Sequence, residues 1–379
     1  MIRQTLALFI DAYRELNAKK LFWITLAISA LVVGAVGAVG INERGWTMLW
    51  WTFDDATINS KVMKPVVFYR FVFATLAIPI WLTWAATILA LVSTASIIPE
   101  FVSGGAIELS LSKPISRMRL ILTKYLTGLT FAALQVGVFC VACFLVIGIR
   151  AGAWDASLFL AVPIVVLFFS YLYCFCALVG LVTRSTIASV LITIGFWVLI
   201  FLVHSGEQVF LTFKTTNELR QERLVAMIEA LKAQREQSEQ QAKADGREVD
   251  PAVLHVNETS MQRRQEQLDR TKADSKMLVR GHAIMYGVMT VLPKTKETVG
   301  LLNRYLLTTK EQEQFLGGDD MPAPGPRSQD DVRISQKQLM VRLEQERRSR
   351  TIFWVLGTSI GFEVALVGLL VWFFCRRDF

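Results

Sequence analysis

Charged residues are scarce in this chain. They make up 19% of its 379 residues, whereas a soluble domain carries about 25%. The deficit comes from long uncharged runs, which are typical of membrane-spanning segments. The formal net charge is +8, but the basic residues stand at the ends of the apolar runs or mix with acids in one polar block. The sequence therefore predicts a membrane protein without a nucleic-acid partner.

Residues for redox or metal chemistry are also few. The five cysteines all lie in or at the end of apolar runs: Cys140, Cys143, Cys174, Cys176 and Cys375. Cys140 and Cys143 have the spacing of a redox or metal pair, but no second pair and no histidine cluster lies near them. We interpret them as small buried residues on a helix. The three histidines are scattered, so we expect no bound metal and no cofactor.

The first twenty residues lack the short apolar core of a cleavable signal peptide. Apolar residues instead recur at steps of four and three from Ile2 to Leu16, with the charged residues off this stripe. The spacing predicts an amphipathic helix over residues 1–20 that lies in the membrane interface. The alternative is a cytoplasmic extension of the first membrane span.

Six apolar runs are long enough to cross a bilayer, since a helix needs about 20 apolar residues to do so. They are Leu21–Ile41, Phe71–Ile98, Tyr125–Ile149, Ala156–Thr183, Ser185–Gly206 and Thr351–Cys375. Arg184 would be costly at mid-bilayer, so a tight turn is predicted between the fourth and fifth runs. The predicted fold is an all-α membrane protein with six transmembrane helices, an interfacial N-terminal helix and a large, mostly helical extracytoplasmic insertion between helices five and six.

The basic residues of the short loops predict the orientation. With both termini in the cytoplasm, the short inner segments hold eleven Lys and Arg residues and the short outer segments hold five, as the positive-inside rule requires. Trp46, Trp50 and Trp51 then lie near the outer interface, where amphipathic rings are favoured. The polar block 207–350 is extracytoplasmic. We expect the protein in the bacterial inner membrane.

The polar block divides into several segments, of which His282–Leu307 is more apolar and includes "VLPKTKETVGLLNRYLL". Asn217–Gln241 and Ser260–Arg280 favour helix, and "ADGREVDP" breaks the pattern between them. A helical hairpin or coiled coil is one interpretation, and a loose charged helix is the other. Residues 317–328 ("GGDDMPAPGPRS") read as a flexible linker. Asp331–Arg350 is predicted to run as a helix straight into the sixth span.

The loop 99–118 between spans two and three has two breaks around a short apolar stretch. Gly104-Gly105 permits a sharp bend, Ala106–Leu111 favours a short helix, and Pro114 ends it. The segment "SGGAIELSLSKPISRMRLILTKYL" resembles the corresponding loop of ABC-2 type permeases, and the ending "FFCRRDF" is similar to the basic-aspartate ending common in that family. The closest resemblance is to permeases of nitrous-oxide-reductase maturation and gliding motility, over roughly residues 1–206 and 351–379.

The resemblance implies a permease that forms a homodimer or pairs with a paralogous permease, and that binds two copies of a separate ATPase. The family's coupling helix would correspond to the loop, whose residues at the ATPase contact would be Glu100, Gly104, Gly105, Glu108, Pro114 and Arg117. The chain has no G-x-x-x-x-G-K-[ST] phosphate loop, so we do not expect it to be an enzyme. The long block 207–350 departs from the family. It permits an alternative in which the chain couples ATPase motion to a periplasmic or cell-wall partner without transporting cargo.

Glu363 interrupts the sixth span with twelve uncharged residues on each side. A carboxylate near mid-bilayer costs about 2.5 kcal/mol or more unless it faces protein or water, or is protonated. It is therefore a candidate for the transport path, with Gln135 and Ser170 as possible polar partners. The alternative is a structural hydrogen bond between helices. An ion-coupled transporter would need several such residues or an internal repeat, and the sequence has neither.

Overall fold

The computed structural model describes residues 20–54, 59–61, 63–103, 107, 116–152, 154–244, 246, 251–306 and 334–377. The described residues fall into two compact units. The first takes its members from Met1–Phe201, Val291–Gln314 and Ile352–Phe379, and the second from Leu202–Thr290 and Phe315–Thr351. Nearly all of the described residues are helical, so the all-α fold class is confirmed.

The helices of the described residues are, in chain order, α1 (Lys20–Ala38), α2 (Pro65–Val72), a π-helical stretch (Phe73–Ala86), α3 (Thr87–Thr94), α4 (Ile97–Ser103), α5 (Arg117–Ala151), a 3-10 turn (Ala156–Leu160), α6 (Ala161–Thr183), α7 (Thr186–Ala244), α8 (Pro251–Val291), α9 (Thr295–Leu306), α10 (Gln336–Ser349) and α11 (Ile352–Arg376). Helices α7 and α8 each contribute residues to both units.

Several of these helices have the length and composition of membrane spans. The five that qualify among the described residues are Pro65–Ser103, Arg117–Ala151, Ala156–Thr183, Thr186–Ala244 and Ile352–Arg376. A shorter apolar helix, Phe22–Ala38, precedes them. These long apolar helices are those of a multi-pass membrane protein. The predicted tight turn at Arg184 is also present, with Arg184 in the left-handed conformation between α6 and α7.

The first predicted span is shorter than expected. Helix α1 ends at Ala38, and a three-stranded antiparallel sheet of β1 (Val39–Ile41), β2 (Gly45–Met48) and β3 (Trp51–Asp54) follows directly. The turn between β1 and β2 forms because the Asn42 side chain accepts hydrogen bonds from the backbone of Arg44 and Gly45, both at 2.9 Å. This local bonding favours a turn over further helix.

The core of the first unit is rich in aromatic residues contributed by α5, α6 and α11, which pack against one another. Cys140 and Cys143 lie buried on α5, as predicted, and Cys174 and Cys176 lie buried on α6. Helix α9 also belongs to this unit and packs against α6 and α11.

The second unit contains the predicted helical hairpin. The two segments predicted as helical lie within α7 and α8, which meet through Leu224, Ile228 and Leu268. Helix α10 packs on α7 through a second small cluster that includes Leu211 and Leu339. The linker 317–328 lies outside the described residues.

The prediction of an unbroken helix from Asp331 into the sixth span is wrong. Ile334 and Ser335 are not helical, α10 begins at Gln336, and it ends before Arg350, whose backbone is extended with φ −68° and ψ 115°. Helix α11 starts two residues later. Ser349 and Thr351 flank Arg350, and such residues favour helix ends because their side chains compete for backbone hydrogen bonds.

Candidate functional site

The carboxylate of Glu363 lies among hydroxyl groups inside the first unit. Tyr125 on α5 donates a hydrogen bond from Oη to Glu363 Oε1 at 2.8 Å, and Ser170 on α6 donates from Oγ to Glu363 Oε2 at 2.8 Å. Each carboxylate oxygen thus has one donor, which offsets part of the cost of taking the group out of water. Glu363 thereby joins three helices at one point.

Of the two partners predicted for Glu363, the structure brings Ser170 to it but not Gln135. Gln135 is ten residues beyond Tyr125 on α5, which is about 15 Å along a helix axis. Its amide is buried, and Nε2 makes no hydrogen bond within the described residues. Tyr125 is the partner that sequence reasoning missed, because it stood at the predicted start of span three.

A stack of aromatic rings holds Tyr125 in position. The Tyr125 ring stacks on Tyr173 with centroids 5.4 Å apart, and Tyr173 stacks on Phe169 at 5.5 Å. Gly128 makes room for this stack, since a Cβ atom at that position would lie 2.4 Å from the Tyr173 ring. The orientation of the Tyr125 hydroxyl therefore depends on a close approach that only glycine permits.

A buried cation lies on the same face of α11 as Glu363. Lys294, immediately before α9, is fully buried; its backbone N–H donates to Ser359 Oγ at 3.0 Å, and its ammonium lies 4.6 Å from the centre of the Trp354 ring. Ser359 is four residues before Glu363, one helical turn away. The sequence marked residues 282–307 as more apolar than the rest of the polar block, but it did not single out Lys294.

The surroundings of Lys294 disfavour its charge. Burial lowers the pKa of Lys294 to about 8, although the nearby Glu297 carboxylate acts in the opposite direction. The ammonium also donates to the carbonyl oxygen of Leu292 at 3.3 Å. Glu363 with its hydroxyl partners and Lys294 thus contact the same helix, α11, within one turn of each other. No cluster of three or more metal-binding side chains occurs in the described part of the chain.

The loop and the C-terminal ending meet in the structure. Arg117, the first residue of α5, donates from its guanidinium to the carbonyl oxygens of Cys375 at 3.3 Å and Arg377 at 3.0 Å. Arg377 in turn donates to the carbonyl oxygen of Leu181 at 2.8 Å. Glu100 lies exposed on α4. The other predicted coupling residues lie outside the described residues: Gly104, Gly105, Glu108 and Pro114.

Aromatic packing supports the same face of the first unit. The Phe101 ring on α4 lies 6.3 Å from the Phe374 ring on α11, and the Lys124 ammonium lies 5.4 Å from the Phe101 ring centre. Helix α4 is thus attached to the start of α5 and the end of α11, next to the loop that follows it.

The second unit has its own buried ionic cluster. The Glu207 carboxylate on α7 contacts His282 Nε2 on α8 at 3.1 Å and pairs with the guanidinium of Arg350 at the end of α10. The Arg350 guanidinium also lies 5.7 Å from the centre of the Tyr286 ring. One buried carboxylate therefore connects the three helices that the structure describes in this unit.

Comparison of the chain with protein-family models, curated proteins and solved structures gives no significant match. The geometry of the Glu363 site, the Arg117 contacts and the resemblance of the loop are therefore the basis for a functional assignment.

Proposed function

We propose that this chain is the transmembrane permease subunit of an ABC-2 type exporter. It acts in the bacterial inner membrane as a dimer, with ATP hydrolysis in a separate partner subunit. Six spans, both termini in the cytoplasm and an extracytoplasmic block 207–350 belong to the proposal. The long apolar helices and the charge bias of the short loops support this topology.

The observation that carries the proposal is the contact between Arg117 and the C-terminal tail. The loop and the ending resemble ABC-2 permeases independently, and they are more than 250 residues apart in sequence. The hydrogen bonds of Arg117 attach the end of the loop to the end of α11, the helix that bears Glu363. Movement of the loop by an ATPase would then reach the intramembrane carboxylate through one helix.

The Glu363 site supports a transported substrate with a polar part. Glu363, Ser170 and Tyr125 lie in an otherwise apolar bundle, and ionisable residues inside spans are functional candidates by default. The substrate is then a hydrophobic or amphipathic molecule moved outward. Replacing Glu363 with Gln should slow export while leaving assembly intact. Unchanged export by Glu363→Gln would show that the Glu363 carboxylate has no role in the transport path.

Co-purification with the co-encoded ATPase tests the main claim. We expect a stable complex whose ATPase activity falls in the variant Arg117→Ala, because the loop loses its attachment to the tail. Arg119→Ala, two residues further along the same helix, is the matched control and should change the activity little. Failure to recover any ATPase partner would overturn the assignment.

The alternative is an ABC-type mechanical coupler that transmits ATPase motion to a periplasmic or cell-wall partner. The observation that favours it is the second unit, in which the buried Glu207 cluster fixes three helices to one another. Deleting residues 217–280 removes most of the hairpin but keeps Glu207, His282 and Arg350. Retained export with loss of partner binding supports the exporter. If the chain is a coupler, neither the full chain nor the deletion variant should export a substrate.

A further inference from the structure

The first apolar helix is at the short end of the range for a membrane span. Its apolar part, Phe22–Ala38, has 17 residues, which corresponds to about 25 Å at 1.5 Å per residue. The hydrocarbon core is about 30 Å thick. The segment that follows Ala38 is the three-stranded sheet, so the sheet begins where the apolar helix ends.

The register of the sheet places one end of it beside the end of α1. Val39 pairs with Met48, Met48 pairs with Trp51, and the backbone N–H of Leu49 donates to the carbonyl oxygen of Ala38 at 2.7 Å. The turn between β2 and β3 therefore lies level with the last residue of the helix. We call residues 48–51 the tip of the sheet.

The opposite end of the sheet is charged. The turn between β1 and β2 carries Glu43 and Arg44, and Glu43 pairs with Lys61 at 3.5 Å. Asp54 ends β3 at the same level, opposite Gly45. This end is three residues, or about 10 Å, from the tip. The sheet thus changes from apolar to charged along its strands, away from α1.

The tip exposes large apolar side chains that contribute little to the fold. Its four residues are Met48, Leu49, Trp50 and Trp51. All are exposed, Trp50 to 76% and Trp51 to 60%. By contrast, Trp46 in the middle of β2 is covered by the stacked Phe53 ring at 4.3 Å. Helix α1 also exposes large apolar side chains, among them Trp23 and Leu31.

The backbone conformation of the tip is unfavourable for the residues that occupy it. Leu49 has φ 58°, a left-handed conformation that costs a residue with a Cβ roughly 1–2 kcal/mol. Two-residue hairpin turns normally use Asn-Gly or similar pairs for this reason. Leu49-Trp50 accepts the strain and gains little packing within the chain, which indicates a contact outside it.

We propose that the tip inserts into the interfacial layer of the bilayer at the end of α1. The occupant that fits is lipid, because the tip is uncharged, exposes large apolar side chains and lies level with the last residue of the apolar helix. Trp rings favour this layer. The open strand edges restrict insertion to the tip, since unpaired backbone groups are not tolerated deeper in the hydrocarbon.

Spin labels at the two ends of the sheet test the proposal. The full chain, with Cys375→Ser to remove the exposed cysteine, is reconstituted in phosphatidylcholine–phosphatidylglycerol vesicles. Trp50→Cys and Arg44→Cys are labelled and their collisions with oxygen and with a water-soluble nickel chelate are compared. We expect the label at position 50 to collide several-fold more with oxygen than with nickel, and the control label at position 44 to show the reverse.

Two results overturn the proposal. Equal nickel access at both positions places the tip in water, and shielding of position 50 from both reagents places it against protein. A second measurement avoids labels altogether: brominated lipids should quench the fluorescence that the wild type has and Trp50→Ser lacks. If that difference is insensitive to bromine, Trp50 does not contact lipid.

Discussion

The buried carboxylate of Glu207 offers a quantitative test of the second unit. Its side chain is 1% exposed, while those of its partners Arg350 and His282 are 10% and 18% exposed. Glu207→Ala removes the carboxylate that pairs with the Arg350 guanidinium and contacts His282. Removing one partner of a buried ion pair destabilises by about 3–5 kcal/mol because the remaining charge is uncompensated. The Tyr286 ring beside Arg350 keeps part of its stabilisation, so we expect about 3 kcal/mol.

Hydrogen exchange on the full chain in detergent measures this loss where it occurs. A local loss of about 3 kcal/mol increases the opening equilibrium roughly a hundredfold. The faster exchange should appear in peptides covering 203–211 on α7, 279–288 on α8 and 343–350 on α10. Glu207→Gln keeps the shape and hydrogen-bonding capacity but not the charge, so its effect should be smaller.

An exposed ion pair in the same unit provides the control. Glu222 pairs with Arg342 at 3.4 Å, and the two side chains are 60% and 47% exposed. Such surface pairs contribute about 0–1 kcal/mol, so Glu222→Ala should change exchange by less than about tenfold. Equal effects of Glu207→Ala and Glu222→Ala would refute the reasoning, because burial would then make no difference to the pair.

Three further predictions concern the first unit. Lys294→Met should raise the stability in detergent at pH 7 by up to about 3 kcal/mol, because the pKa of Lys294 is about 8 in the folded chain against an ordinary 10.5. The stability difference between the variant and the wild type should shrink as pH rises from 8 to 10.5. In that range the unfolded wild-type chain binds more protons than the folded one, so the wild type gains stability. Gly128→Ala should destabilise by about 1–3 kcal/mol by displacing Tyr173, while Gly137→Ala on the same helix, where a Cβ meets nothing within 4 Å, should stabilise slightly. Burial alone would raise the pKa of Asp155, but hydrogen bonds from Arg70 and Ser157 outweigh burial and lower this pKa. Asp155→Asn should therefore remove the part of the stability that the wild type loses as pH falls below about 4.

Hydrophobic runs predicted where the long helices lie but not where they end. Val39-Gly40-Ile41 is as apolar as the helix before it, so composition could not separate it from the first span. Its strand conformation depends on pairing with Trp46, Thr47 and Met48, which composition does not reveal. The break at Arg350 shows the same limit, since the Arg350 side chain pairs with Glu207, 143 residues away in sequence, which composition does not reveal.

The Glu363 site shows the same limit at the level of side chains. The charge of Glu363 within an apolar run was visible in the sequence, and Ser170 was a plausible partner for any such carboxylate. The choice between Tyr125 and Gln135 depended on how far α5 extends before the apolar run. Because α5 begins at Arg117, Tyr125 lies eight residues inside the helix and reaches the level of Glu363.

The hydrogen bonds at Glu363 also narrow the class of molecule that the proposed export path would accept. Tyr125 and Ser170 supply one donor to each carboxylate oxygen, and hydrogen bonds to charged groups are each worth about 1.5–3 kcal/mol. A purely apolar molecule that displaced either hydroxyl would take the donor away from one carboxylate oxygen and would meet that cost during passage. A molecule with its own hydroxyl, amide or amine could replace the displaced donor as it moves. Passage beside Glu363 therefore favours an amphipathic substrate that carries a hydrogen-bond donor over a wholly hydrophobic one.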